Sequence, residues 1–421
     1  MSEIQLGYGL ASIDFVFDEN QFSLLANESV MRKPLSDAEI GVAFDSPIAS
    51  PPLDEIFTGD DSVLIVVSDA TRATASAQIV NLLVRRLLQL GVSPAGIAII
   101  FATGIHRPVT PQEKIDLLTA FIVQRLRIID HDAYDFAQLT SLGITERGTS
   151  IEVNSALKEF SQVVLIGGIS FHYFAGFTGG RKSVCPGLAS AKTIAATHML
   201  ALDFETGGRK RGVGNALLDG NPVHEECERV AEIVAPAFGI NSIVNTNGRA
   251  IRLFCGDWRF AHRAGCDDYL SEHSIAISSQ RDLVIVSCGG SPYDINMIQA
   301  HKALDMASLA CKDGGTIILL AECRDGLGRP DFIKWFDAVD SPGLEELLRE
   351  RYEVNGQTAW SLMTKTERHR ICLVSELPDE QVRRMRMIPF RTLSEALDHT
   401  PQNLDGYIMP RGAALLPQLE H

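Results

Sequence analysis

The stretch SVLIVVSD at residues 62–69 is a short run of apolar, mostly β-branched residues that ends in a carboxylate. Similar runs follow at residues 95–104, 126–130 and 162–168, and the segments at 77–90 and 111–126 have apolar residues at helical spacing. Strands that alternate with helices are typical of a doubly wound, mostly parallel sheet. The stretch therefore predicts the first strand of an α/β domain.

A second series repeats this alternation, with apolar runs at residues 282–288, 315–323 and 370–377 and a helical pattern at 298–310. A chain of 421 residues is long enough for two such cores. We therefore predict two α/β domains with mostly parallel sheets that flank an interdomain active-site cleft. The N-terminal domain is expected at residues 1–270 and a smaller one at 271–392, with residues 393–421 packing back on the N-terminal domain.

The overall composition narrows the class of protein. The 53 acidic and 38 basic residues give a net charge of −15, which argues against nucleic-acid binding and favours a small-molecule substrate. The N-terminus lacks the layout of a signal peptide and no apolar run is long enough for a membrane span, so we expect a cytoplasmic protein without a membrane partner. The eight cysteines form no CxxC pair and are expected to be reduced, mostly buried thiols. No feature of the sequence predicts the oligomeric state.

Polar residues follow the first two predicted strands. Asp69, Thr71 and Arg72 come directly after the first, and His106 comes after the second. In open parallel sheets the chemistry gathers at the carboxyl ends of the strands. Each residue also has a structural explanation, because Asp69 could cap a helix and His106 could simply be an exposed loop residue.

The fourth strand runs into ISFHYFAGFTGGRKSVCPG at residues 169–187, the segment with the strongest functional signal. Within it, Gly176 to Ser183 differs from the phosphate-loop pattern G-x-x-x-x-G-K-[ST] only at Arg181. A phosphate loop runs directly from strand to helix, whereas here residues 169–175 intervene and Pro186 and Gly187 stand where the helix should continue. This context makes a nucleoside-triphosphate site a poor explanation.

Three residues on predicted helices are further candidates for a functional role. His198 lies near the end of a helix predicted after Ser190, where a favourable interaction with the helix dipole would explain it equally well. Gln299 and Lys302 are three residues apart and share a helix face, which is either solvated or directed at an anionic substrate.

Taken together, these segments, with Asn221-Pro222 and GSPYDINMIQAHK at residues 290–302, resemble the nickel-pincer lactate racemase family in order along nearly the whole chain. The resemblance implies a cofactor, the nickel-pincer nucleotide, a nickel-bound pyridinium mononucleotide with a thioamide and a thiocarboxylate, supplied by cofactor-synthesis proteins. The resemblance implies that the cofactor is attached at Lys182 and that His198 ligates the nickel. It implies acid/base catalysis by His106 and His172. The substrate carboxylate would be bound by Arg72, Gln299 and Lys302, and the cofactor's phosphate and ribose by Asp69, Thr71, Gly176, Gly179 and Gly180.

The function that this resemblance implies is a racemase or epimerase of a 2-hydroxy acid that works by reversible hydride transfer through a 2-keto acid. The chain departs from the lactate enzymes at Phe171, where they have Pro, and at Cys185, so the substrate stays unassigned. Trp360 is a candidate wall of the substrate pocket, although a Trp is more often core packing. One alternative is a non-catalytic homologue that binds the cofactor or an anionic metabolite. A nicotinamide-dependent dehydrogenase is disfavoured, since no G-x-G-x-x-G follows a strand.

Overall fold

The structure is a computed structural model that describes residues 1–26, 32–401 and 404–420. Its strands are β1 (Ser2–Tyr8), β2 (Ala11–Phe17), β3 (Phe22–Leu24), β4 (Val63–Ser68), β5 (Ile97–Ala102), β6 (Arg127–Asp130), β7 (Leu139–Ile144), β8 (Ser150–Asn154), β9 (Gln162–Gly168), β10 (Phe171–His172), β11 (Gly176–Phe177), β12 (Phe238–Val244), β13 (Ala250–Gly256), β14 (Ser274–Ile277), β15 (Arg281–Ser287), β16 (Cys311–Leu320), β17 (Arg370–Val374), β18 (Ile388–Phe390), β19 (Gly406–Met409) and β20 (Leu416–Leu419).

Its helices are α1 (Asp37–Asp45), α2 (Leu53–Ile56), α3 (Ser76–Gln89), α4 (Pro111–Leu118), α5 (Ala120–Arg125), α6 (Ala156–Glu159), α7 (Ala191–Met199), α8 (Pro222–Val234), α9 (Trp258–His273), α10 (Met297–Ala310), α11 (Ser341–Glu350), α12 (Val354–Arg368), α13 (Asp379–Arg384) and α14 (Leu393–Asp398). Short 3₁₀ helices lie at Pro94–Gly96, Phe136–Gln138, Gly180–Ser183, Pro330–Asp337 and Gly412–Ala414. In the part of the chain that the structure describes, no helix is both long enough and apolar enough to cross a membrane.

The chain forms two compact units, each described here by itself. The N-terminal unit comprises Val30–Ala201 and Lys210–Tyr269, and the C-terminal unit comprises Met1–Ser29, Leu202–Arg209 and Leu270–His421.

The N-terminal unit is built on a six-stranded sheet in the order β13-β12-β9-β4-β5-β6, in which all pairs are parallel except β12 with β13. From β4 the chain adds β5 and β6 on one side and then β9 and β12 on the other, so the strand order reverses between β4 and β9. The apolar residues Val63 to Val67 of β4 are fully buried because both faces of the sheet are covered. The crevice at such a reversal is where open α/β sheets bind their ligands.

The C-terminal unit has a second six-stranded sheet, entirely parallel, in the order β18-β17-β16-β15-β19-β3. The apolar runs that predicted its central strands are buried in β15, β16 and β17. The prediction of an α/β protein with mostly parallel sheets is therefore confirmed.

Both ends of the chain contribute strands to the C-terminal unit. After residue 393, β19 pairs with β15 and β20 pairs with β14. At the other end, β3 extends the large sheet of the C-terminal unit beside β19, and Met1–Ser29 are part of that unit.

Two further expectations have a clear outcome. The helix predicted over residues 111–126 is broken into α4 and α5 at Thr119, which has a φ of 79°. All eight cysteines are free and buried, as the absence of paired spacing predicts.

Candidate active site

The predicted site residues of the N-terminal unit follow three strands that lie side by side at its reversal point. Asp69 comes directly after β4, His106 follows β5, and the segment with His172 and Lys182 follows β9. Because parallel strands end at the same edge of a sheet, these loops meet there.

Asp69 and His106 form a close pair. The Asp69 side chain is only 7% exposed, and its Oδ2 lies 2.6 Å from His106 Nδ1. Its Oδ1 accepts hydrogen bonds from the Thr71 amide at 3.0 Å and the Thr71 hydroxyl at 2.6 Å. Burial alone would raise the pKa of Asp69, but the hydrogen bonds from His106 and Thr71 and the charge of Arg72 lower it. Asp69 is therefore an ionised carboxylate that fixes the His106 ring.

The resemblance implies that Asp69 and Thr71 bind the cofactor's phosphate and ribose, and in the structure both side chains have partners within the protein. Both carboxylate oxygens of Asp69 are engaged, and the Thr71 hydroxyl proton is used on Asp69. His106 itself is 51% exposed, so its Nε2 edge can reach a ligand.

Arg72 is a cation without a partner in this loop. Its amide donates to the Asp69 carbonyl at 3.2 Å, but its guanidinium makes no hydrogen bond or ion pair within the described residues. The side chain is partly buried. A guanidinium in this state can bind a carboxylate with two parallel hydrogen bonds.

The hairpin of β10 and β11 holds His172. His172 pairs with Gly176, and the amide of Ala175 donates to His172 Nδ1 at 3.3 Å. Gly176 has a φ of 78°, and a Cβ there would lie 2.2 Å from the Leu217 carbonyl oxygen. Only glycine fits at this position, and the turn that it forms positions the His172 ring.

Lys182 lies in the 3₁₀ helix that follows the hairpin. Its Nζ is 5.3 Å from the centre of the Phe174 ring, and it makes no hydrogen bond or ion pair within the described residues. Burial lowers the pKa of Lys182 to about 7, opposed by the Cys227 thiol and assisted by the charges of Arg181 and Arg72. At neutral pH a large share of the amine is therefore unprotonated and nucleophilic.

Arg181, the residue that breaks the phosphate-loop pattern, has a structural role that the sequence analysis missed. It is 1% exposed and donates to the Ala175 carbonyl at 2.7 Å and to His262 Nε2 at 2.9 Å. A buried arginine that donates to several acceptors stabilises the loop. The only sequence signal was its position between two glycines and a lysine.

The glycines of this loop are also explained by packing. A Cβ on Gly179 would lie 2.9 Å from Asn241 Oδ1, and one on Gly180 would lie 2.6 Å from the His262 ring. The Gly180 amide donates to Asn241 Oδ1 at 2.9 Å, so this N–H has a partner within the protein.

His198 is held in one tautomer near the end of α7. The Thr197 hydroxyl donates its proton to the Ile194 carbonyl at 3.0 Å, so at 3.2 Å it accepts from His198 Nδ1–H. The lone pair of the ring is then on Nε2. Burial, with the charge of Lys182, lowers the pKa of His198 to about 3, so the imidazole is neutral and able to ligate a metal. Among the described residues, no three His, Cys, Asp or Glu side chains are grouped to hold a metal ion.

Phe174 brings these side chains around one aromatic ring. The ring centres of His172 and His198 lie 4.4 and 4.9 Å from that of Phe174, and Lys182 faces the same ring. The Phe174 carbonyl accepts from the fully buried Asn221 amide at 3.0 Å, and Asn221 caps α8 before Pro222. Neither of these roles was predicted from the sequence.

The other predicted residues lie in the C-terminal unit. Lys302 donates to Gln299 Oε1 at 2.5 Å, so the two share one face of α10 as their spacing predicts. Trp360 on α12 is 4% exposed, and its indole N–H donates to Glu345 at 2.7 Å.

Comparison with known proteins gives a consistent assignment. Residues 8–207 match the family model of the lactate racemase N-terminal domain, and residues 277–407 match that of the lactate racemase C-terminal domain. The chain is 31% identical to a lactate racemase of Thermoanaerobacterium thermosaccharolyticum and 32% identical to one of Lactiplantibacillus plantarum, and each comparison covers 94% of both chains.

Solved structures agree on the fold. The lactate racemase apoprotein from Thermoanaerobacterium thermosaccharolyticum superposes with a TM-score of 0.91 at 27% identity, covering 99% of this chain and 100% of that one. A protein from Thermotoga maritima shares the fold alone, with a TM-score of 0.70 at 19% identity over 93% of this chain and 100% of that one.

Proposed function

The chain belongs to the lactate racemase family, and on this premise we propose that it is a racemase or epimerase that inverts the hydroxyl-bearing carbon of a 2-hydroxy acid such as lactate. The observation that carries the proposal is the pair of histidines beside the reversal point of the N-terminal sheet. His106 is fixed by a carboxylate and His172 by a backbone N–H, so the two rings have different protonation patterns.

The partner of each ring determines its proton chemistry. A carboxylate can only accept, so His106 carries its proton on Nδ1 and presents a basic Nε2 to the substrate hydroxyl. The negative charge of Asp69 then stabilises the imidazolium that forms. A backbone N–H can only donate, so in the neutral His172 ring the lone pair is on Nδ1 and Nε2–H is the side that can donate a hydrogen bond to the substrate oxygen, while the proton returned to the product comes from an imidazolium. Inversion needs one group that takes a proton and another that returns one.

The substrate carboxylate needs a cation that holds it while the carbon inverts. We assign this role to Arg72, whose guanidinium is unpaired within the described residues, although its backbone amide is used in the turn. Gln299 and Lys302, which the resemblance gives the same role, lie together on α10 of the C-terminal unit.

Lys182 and His198 fit the nickel-pincer nucleotide. The Lys182 amine makes no hydrogen bond within the part of the chain that the structure describes, and burial lowers its pKa to about 7, which suits attachment through a thioamide. His198 offers a neutral Nε2, and the absence of a three-residue ligand cluster among the described residues suits a metal whose other ligands are sulfur and carbon atoms of the nucleotide. When bound, this group would supply a hydride acceptor, so that the hydroxy acid passes through a 2-keto acid.

Within the cell, we propose that the protein acts in the cytoplasm on a small 2-hydroxy acid and receives the nucleotide from cofactor-synthesis proteins. No membrane or nucleic-acid partner is part of this proposal, in keeping with the net charge of −15.

The proposal is tested by incubating protein made with the cofactor-synthesis machinery with single enantiomers of a panel of 2-hydroxy acids, lactate included. Chiral chromatography then follows the enantiomeric ratio over time. We expect at least one substrate to approach a racemic or epimeric mixture without added nicotinamide cofactor. Nickel-loaded protein that changes none of them would refute the catalytic proposal and favour a binding protein.

A further inference from the structure

The loop formed by Leu202–Arg209, called here the docking loop, belongs to the C-terminal unit although the chain on both sides of it belongs to the N-terminal unit. It begins shortly after α7, the helix that carries His198. Leu202 pairs with Arg209 at its base, and the Asp203 amide donates to the Gly208 carbonyl at 2.9 Å. The docking loop is therefore a closed, internally hydrogen-bonded turn.

One carboxylate of α11 receives this loop. The Gly208 amide donates to both oxygens of Glu345, at 3.0 and 3.1 Å. The same carboxylate accepts the indole N–H of Trp360 at 2.7 Å. Glu345 thus connects the docking loop to Trp360, the candidate wall of the substrate pocket.

Two other contacts hold the docking loop beside the same helices. Arg349, one turn after Glu345 on α11, donates to the Phe204 carbonyl and lies 5.3 Å from the centre of the Phe204 ring. Arg209 Nη2 lies 3.6 Å from Asp305 Oδ1. Asp305 is on α10, the helix that carries Gln299 and Lys302.

Asp305 is itself part of a buried network. Lys365 of α12 contacts Asp305 at 2.7 Å and donates to the carbonyl and hydroxyl of Ser361, which neighbours Trp360, at 2.8 and 2.9 Å. The docking loop therefore contacts side chains that are tied to both helices with predicted substrate-binding residues.

We propose that Glu345 is a positioning residue that fixes the Trp360 indole and the docking loop together. A carboxylate can accept both N–H groups at once, whereas a glutamine would turn its amide NH₂ group towards one of the two donors. The order of the docking loop and the orientation of Trp360 then depend on each other. The consequence for substrate recognition rests on the proposed function, with Trp360 as the candidate wall of the substrate pocket.

The first test is proteolysis, which needs no substrate or cofactor. Arg209, Lys210 and Arg211 are three consecutive trypsin sites at the end of the docking loop. We expect Glu345→Gln to be cleaved there about tenfold faster than the parent protein, because losing one charge-assisted hydrogen bond increases the open population by about that factor. Glu346→Gln is the matched control, since Glu346 is exposed on the same helix and makes no hydrogen bond or ion pair within the described residues. Equal cleavage of the two variants would overturn the proposal.

A second measurement follows the indole itself. Glu345→Gln is expected to change the tryptophan emission spectrum, and this change should vanish when Trp360→Phe is also present, because the indole N–H of Trp360 donates to Glu345. A spectral change that persists in the Trp360→Phe background shows that Glu345 does not act on Trp360. A Glu345→Gln protein that has lost its circular dichroism signal is replaced by Trp360→Phe alone, which should be cleaved at the docking loop faster than the parent.

The third measurement connects this role to recognition. With a substrate that the parent protein racemises, Glu345→Gln should raise KM about tenfold and leave kcat within about threefold, because the indole would help to bind the substrate and not to move its protons. An unchanged KM with faster cleavage limits Glu345 to the docking loop and overturns the link to substrate binding. Failure of the parent to racemise any substrate refutes the proposed function instead, and the first two tests still decide the role of Glu345.

Discussion

Replacement of Asp69 by Asn separates two roles that this carboxylate could have. In the protein its Oδ2 lies 2.6 Å from His106 Nδ1, so Nδ1 carries the proton and Nε2 is the basic nitrogen. An asparagine amide can donate to Nδ1 instead, which would move the ring proton to Nε2 and remove the base. The side-chain size is unchanged, and the Thr71 contacts to Oδ1 can be retained through the amide oxygen.

The expected loss follows from what the pair supplies. General acid–base catalysis contributes typically about 10²–10⁴-fold to the rate, and the 2.6 Å hydrogen bond keeps His106 in the competent tautomer, so we expect kcat of Asp69→Asn to fall by about that range. KM should change little, since Arg72, the proposed carboxylate-binding residue, is unchanged. Asp60→Asn is the control, because Asp60 is exposed in the turn before β4 and makes no hydrogen bond or ion pair within the described residues.

The assay measures initial rates from each pure enantiomer by chiral chromatography, with nickel content and the mass of the Lys182 peptide determined on the same preparation. A kcat within about threefold of the parent would refute the pairing argument. A loss of nickel together with activity would instead support the cofactor-binding role that the resemblance gives to Asp69.

Three other predictions concern the same loops. His198→Ala should lose nickel, whereas His106→Ala and His172→Ala should keep it and lose racemisation; elemental analysis decides, and full nickel content in His198→Ala would rule it out as a ligand. In protein made without the cofactor, Lys182 should react with limiting acetic anhydride faster than the exposed Lys192, with its rate rising through a midpoint near pH 7 as the amine loses its proton; equal labelling of the two peptides would contradict this. Gly176→Ala should lower the thermal midpoint far more than Gly148→Ala, because both positions have positive φ but only the first Cβ meets a backbone oxygen, at 2.2 Å; similar midpoints would show that the turn adjusts.

The sequence predicted most of the central strands, because β-branched runs buried on both faces leave a strong local pattern. It did not predict the short strands near the two ends of the chain. Residues Phe22–Leu24 and Gly406–Met409 are short segments that become strands only by pairing with each other and with β15, and such long-range pairing has no local signature. The break at Thr119 was missed for a related reason, since no glycine or proline marks it.

For the candidate site, too, the sequence predicted one part and not the other. The strand-end rule and the resemblance selected the side chains, but their roles depend on contacts that neither could give. Asp69 was expected at the cofactor and is hydrogen-bonded to His106, while the Gly180 amide is occupied by Asn241. Phe174 and Arg181 had no predicted role, because their importance lies in distances to residues elsewhere in the fold.

Arg181 and Lys182 are adjacent cations with opposite environments, and the difference explains the pattern GGRKS. Arg181 is fully buried but donates to two backbone carbonyls and to His262, so it keeps its charge although burial lowers its pKa. Among the residues that the structure describes, Lys182 has no such acceptor, and burial lowers its pKa together with the charge of Arg181. A glycine at 181, as in a phosphate loop, would remove both the internal brace and this charge. The residue that spoils the phosphate-loop pattern is therefore one whose charge helps to lower the pKa of the neighbouring lysine, which favours covalent attachment through its amine.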